Sequence, residues 1–125
     1  LSKFTLDIDR IVDFVCENGG GIYTNCNRVL LKDYIKKHIE YGTFMTVSDP
    51  RGIAAVARWN WVDDKTAEIL DVIIREDVRS FYTLKGLIML GVRENPNCKY
   101  IKFERRTKYP ERDYRTYKVE DLLRR

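Results

Sequence analysis

The chain has 125 residues, 44% of them hydrophobic and 34% charged, with a net charge of +4. That length fits one domain, 1–125, with a buried core of its own. No apolar run approaches the ~18 residues that span a bilayer, and LSKFTLDIDR lacks the basic-then-apolar pattern of a secretory signal, so a cytoplasmic protein without membrane contact is expected.

Ile8, Ile11, Val12 and Val15 recur at helical spacing and predict a helix over about 6–18, ended by Gly19, Gly20 and Gly21. Asn27 fits the N-cap of a second helix. Its apolar stripe is Leu30, Leu31, Tyr34, Ile35, His38 and Ile39, and Gly42 closes it. His38 lies beside that stripe as a partly buried helix residue more readily than as a catalyst.

Three strands come next. Residues 43–48 are β-branched and aromatic, and Asp49-Pro50-Arg51-Gly52 is a strong turn signal. Residues 53–62 place Ile53, Ala55, Ala57, Trp59 and Trp61 on one face; two tryptophans there read as core first and as an interface second. Asp63-Asp64-Lys65 turns the chain into a strand at 66–75, which completes an antiparallel meander.

A helix starts at Ser80 or Thr83 and ends at Glu94, with Leu84, Leu87, Ile88, Gly91 and Val92 as its core stripe. A strand at 99–106 follows, with Ile101 and Phe103 pointing one way. A strand–helix–strand unit of this length favours parallel neighbours. Residues 109–119 read as a hairpin partner that turns near Pro110. The order predicts an α+β domain with a mixed, mostly antiparallel sheet flanked by helices.

Charge is uneven. Residues 99–125 carry ten Lys/Arg against five Asp/Glu, while 1–98 sum to −1. Within 99–118, Lys and Arg alternate with Tyr100, Tyr109, Tyr114 and Tyr117. This suits contact with nucleic acid, through phosphate charge and base stacking, or with a protein partner; it also suits an ordinary strand pair with a charged outer face. Cys16, Cys26 and Cys98 are odd in number and fit no CxxC pair. With one histidine in the chain, no zinc site is expected, and the cysteines read as reduced thiols.

The segment from Thr66 to Glu94 carries the functional signal. A strand feeding a helix N-terminus presents unpaired N–H groups to an anion. Together with the element order, the run Ala67-Glu68-Ile69-Leu70-Asp71-Val72-Ile73-Ile74 followed by Asp77-Val78-Arg79 resembles the GNAT superfamily of acyl-CoA N-acyltransferases over residues 6–106. The resemblance implies a GNAT-like fold and transfer of an acyl group from acetyl-CoA to an amine. It implies that backbone groups of Val72, Ile73 and Ile74 hold the pantetheine arm. Arg79 and the backbone of Ser80, Tyr82, Thr83 and Leu84 would hold the pyrophosphate. Glu68 and Asp71, expected on opposite strand faces, match the family's general base. Tyr109, with Tyr114 and Tyr117, occupies the region of its tyrosine acid.

The family's loop reads R/Q-x-x-G-x-G/A. Here Arg79 takes the first position, and the glycine positions fall on Tyr82 and Leu84. Either the loop runs differently or coenzyme A does not bind in the family's manner, and a catalytically weak enzyme is one expectation. Gly86 is expected to serve tight helix–sheet packing. The alternative is a non-catalytic module of phage or mobile-element type that uses 99–118 as its contact surface.

Overall fold

The structure is a computed structural model that describes residues 7–19, 27–105 and 113–124. Helices α1 (Ile8–Asn18) and α2 (Arg28–Glu40) lead into β1 (Phe44–Asp49), β2 (Gly52–Trp61) and β3 (Thr66–Ile74). A 3-10 turn (Glu76–Val78) and helix α3 (Phe81–Glu94) follow, then β4 (Tyr100–Arg105), β5 (Asp113–Lys118) and a short helix α4 (Val119–Arg124).

Local chemistry sets the ends of these elements. Asp7 caps α1 by accepting the N–H groups of Asp9 and Arg10. Asn27 caps α2 in the same way, from Val29 and Leu30. Past α2, Gly42 sits at φ +70°. There its N–H donates to the Ile39 carbonyl, and the Thr43 N–H donates to the His38 carbonyl. That left-handed closure is open to glycine at little steric cost.

The strands lie in the order β1-β2-β3-β4-β5. Only β3 and β4 run parallel; the other neighbours are antiparallel. Helices cover both faces. On one, Ile11, Val12 and Val15 of α1 and Ile35 of α2 pack on Val56 and Ile73. On the other, Met45, Val47, Ala57 and Trp59 meet Leu87 of α3 and Leu122 of α4.

Three sequence expectations change. Leu30, Tyr34 and Ile39 are exposed, because α2 meets its neighbours along the single row of Leu31, Ile35 and His38. Ile53 belongs with the α1/α2 face, away from Ala55 and Ala57. The cause is a β-bulge: Val47 pairs with Ala55 and Ser48 with Ile53, which leaves Ala54 as an extra residue that reverses the alternation. Val119 opens a helix instead of ending a strand, and α4 buries Val119 and Leu122.

Candidate functional site

β3 pairs with β2 from Trp61↔Ala67 to Ala55↔Ile74. With β4 it pairs only from Thr66↔Tyr100 to Ile69↔Phe103. Beyond Phe103, β4 keeps its register with β5 as far as Arg105↔Asp113. Among the described residues, the sheet therefore forks after Ile69, and residues 70–74 have no strand neighbour on that side.

A second bulge lies at the fork. Arg58 pairs with Asp71 and Trp59 with Ile69, so Leu70 is the extra residue. A bulge bends its strand and raises its twist, and this one sits where the pairing of β3 with β4 ends. At the opening, Asn18 and Gly19 from the end of α1 join Val72, Ile73, Ile74 and Arg79 around an open hollow of about 420 Å³. Asn18 and Gly19 were not anticipated from the sequence; nothing local marks them as neighbours of β3.

The N-terminus of α3 stands beside this hollow. Ser80 is extended and accepts the Thr83 N–H on its Oγ at 3.2 Å. The Thr83 hydroxyl donates to the Val78 carbonyl. Among first-turn donors, the N–H groups of Phe81 and Tyr82 have no intrahelical acceptor, and they lie at the positive end of the helix dipole. Arg79 reaches back to donate to the Ile74 carbonyl at 2.9 Å, which sets its guanidinium at the mouth of the hollow.

The connection from β3 to α3 uses no left-handed residue, since the positive φ angles among the described residues are at Gly42 and Gly52. A 3-10 turn makes the crossing, held by charge. The Arg75 guanidinium donates to both carboxylate oxygens of Asp49, to Asp77 and to the Ile53 carbonyl. Arg51 binds Asp77 at 2.8 Å. The β1–β2 turn, the end of β3 and the approach to α3 are thereby tied together. Both carboxyls are held below the usual aspartate range, first by their hydrogen bonds to Arg75.

The residues at the family's glycine positions leave the hollow clear. The Tyr82 side chain points to solvent, with the residue 83% exposed. Leu84 turns beneath α3, to the opposite side from the solvent. Gly86 does not serve close packing: a Cβ placed there would meet nothing within 4 Å.

Glu68 and Asp71 occupy one face, contrary to the expectation from simple alternation. Glu68 pairs with Asn60 and Asp71 with Arg58, and both partners lie on the α1/α2 side. The Arg58 guanidinium binds Asp71, with the two side chains 17% and 27% exposed. It also stacks over Tyr34, 4.5 Å from the ring centroid. His38 is buried nearby, its Nδ1 2.8 Å from Thr43 Oγ1. Burial, then the Arg58 charge, holds its pKa below the ordinary value.

Tyr109 lies outside the described residues. In the basic hairpin, Tyr117 packs edge-to-face on Phe103, with ring centroids 6.1 Å apart, which draws that ring into the core margin. Lys99, Arg115 and Lys118 are exposed. Cys98 is buried and, like Cys16, a free thiol. Among the described residues, no cluster of His, Cys, Asp and Glu could hold a metal, and no helix is long and apolar enough to cross a membrane.

Comparison with solved structures places this architecture. A chimera of the spermidine N-acetyltransferase SpeG from Vibrio cholerae and hSSAT aligns over 100% of both chains, with a TM-score of 0.68 and 13% identity. The chain has the GNAT fold. A Bacillus subtilis acetyltransferase in complex with CoA shares it, with a TM-score of 0.53 and 15% identity over 83% of this chain and 63% of that one. No family model matches the sequence. A stretch of 72 residues, 58% of the chain, is 29% identical to a polyketide synthase-nonribosomal peptide synthetase of Phaeosphaeria nodorum, and the match spans 2% of that protein.

Proposed function

We propose that the protein is an acyl-CoA-dependent N-acyltransferase, with acetyl-CoA as its simplest donor. The observation that carries this reading is the fork: a length of β3 without a strand neighbour among the described residues opens beside the N-terminus of α3. Along Val72, Ile73 and Ile74, the backbone groups of Val72 and Ile74 face away from β2 and offer an extended ligand the pairing that a neighbouring strand would offer. Arg79 and the first-turn N–H groups of Phe81 and Tyr82 supply charge and donors for a pyrophosphate. Ser80 and Thr83 shape this turn through their mutual cap, and Leu84 anchors it from below.

When bound, acyl-CoA supplies an activated thioester carbonyl to an amine. The chain's own part is to position that amine and take its proton. Glu68 and Asp71 share the α1/α2 face, so the amine approaches from that side. Asp71 is committed to Arg58, which leaves Glu68 as the carboxylate available as general base, directly or through water. Tyr109 is proposed as the acid on the leaving side. Calorimetric titration and thermal shift with acetyl-CoA test the reading: micromolar to submillimolar binding is expected, and no heat and no shift at millimolar ligand would sink it.

A second reading, a non-catalytic module that contacts nucleic acid or protein through 99–118, is favoured by the exposed Lys99, Arg115 and Lys118 beside the edge strand β5. With Tyr117 packed on Phe103, such contact would rest on charge more than on stacking. Affinity for a single-stranded oligonucleotide that falls steeply with salt, without any affinity for acetyl-CoA, would favour it over acyl transfer.

A further inference from the structure

An apolar hollow, open to solvent on one side, lies between α3 and the sheet, walled by Ala57, Trp59, Trp61, Val72, Gly91 and Phe103 among other apolar groups. Small residues face one another across it. A Cβ added at Gly91 would touch only Met45 Cε, at 4.0 Å. Trp59 is 7% exposed, and its indole N–H is buried without an acceptor among the described residues. A buried donor of this kind ordinarily has a partner, and the thioester carbonyl of a bound donor, whatever its chain length, is the one oxygen that could supply it.

This hollow lies beside the fork. Val72 borders both it and the opening beside Arg79. Ile69 and Phe103, the last paired residues of β3 and β4, form part of its wall. A chain held along 72–74 therefore has an apolar space next to it, on the α3 side of the sheet. We infer that this hollow receives the acyl group of the donor, and that the protein's substrates are acyl thioesters with a medium-length straight chain, longer than acetyl. The inference rests on the acyltransferase reading given above. Each methylene that lies against this apolar lining gains from leaving water, so affinity is expected to grow with chain length beyond acetyl.

The test is a donor series titrated against the full chain: CoA, acetyl-CoA, hexanoyl-CoA and octanoyl-CoA. Octanoyl-CoA is expected to bind at least about tenfold more tightly than acetyl-CoA, and to shift the fluorescence of Trp59 and Trp61 further than acetyl-CoA does. Gly91→Leu fills the hollow. It is expected to erase the chain-length advantage while leaving the affinity for CoA itself and the melting temperature undiminished. Should that variant fail to fold, the series and the fluorescence on the natural chain decide alone. Equal affinities from acetyl to octanoyl, with CoA bound, overturn the inference and leave the acyltransferase reading standing. If no CoA species binds, the acyltransferase reading falls and the inference falls with it.

Discussion

Glu68 and Asp71 stand three positions apart in β3 and yet project to the same side of the sheet, because Leu70 between them is the extra residue of a bulge. Strict alternation would have put them on opposite faces. The bulge thus has two consequences. It gathers both carboxylates on the α1/α2 face, and it marks the point at which β3 stops pairing with β4.

The two carboxylates should separate by experiment. Asp71→Asn leaves the Arg58 guanidinium without its counter-charge in a half-buried setting, and a loss of about 2 kcal/mol in chemical denaturation is expected. Glu68→Gln should leave the melting temperature nearly unchanged and lower kcat, with the KM for donor held. If Glu68→Gln kept full turnover, the base would have to be sought elsewhere.

Gly86 offers a clean test of how α3 sits. Its Cβ position is open and it lies inside the helix, so Gly86→Ala should stabilise the protein by about 0.5–1 kcal/mol. A lowered melting temperature would mean that α3 packs more closely on the sheet than described here.

The approach to α3 depends on Arg75. Asp49 and Asp77 have folded pKa values below the ordinary 3.8, chiefly through hydrogen bonds to Arg75. The unfolded chain therefore takes up protons first as the pH falls. Their stabilisation is complete above about 3.8 and is lost as the pH drops from there toward the folded values. Arg75→Ala should lower the melting temperature at neutral pH and flatten its decline below pH 4. It should also weaken CoA binding, because the loop that presents the start of α3 loses its tether. An unchanged acid limb would rule out the network as its source.

His38 governs a different range. Its folded pKa lies below the ordinary 6.5, mainly because it is buried. The unfolded chain again binds the proton first. Stability is complete above about 6.5 and declines as the pH falls toward the folded value. Melting temperatures measured from pH 7.5 down to pH 5 should fall, and in His38→Gln this slope should be largely gone.

How much was readable beforehand follows from the range of each interaction. Asn27 and Gly42 announced the limits of α2, and Asp49-Pro50-Arg51-Gly52 announced its hairpin, because caps and tight turns are decided within a few residues. The bulges at Ala54 and Leu70 had no such signature. They are properties of two strands in register, and they moved Ile53 and Glu68 to faces that alternation denied them. Arg75 and Asp49 lie 26 positions apart, so a loop held by ions looked from its sequence like a glycine loop that had lost its glycines. The helix α4 was hidden because Tyr114 and Tyr117 drew the strand reading onward into Val119, where burial against the core and two early acidic residues favour a helix instead.

The central claim is that the donor lies along the unpaired edge of β3 and against the first turn of α3. Amide hydrogen exchange with and without CoA tests it most directly. Protection on binding is predicted at Val72 and Ile74, whose amides face the open edge, and at Phe81 and Tyr82, with β1 unchanged. Saturating CoA that left those amides unprotected, or that protected β5 instead, would contradict it.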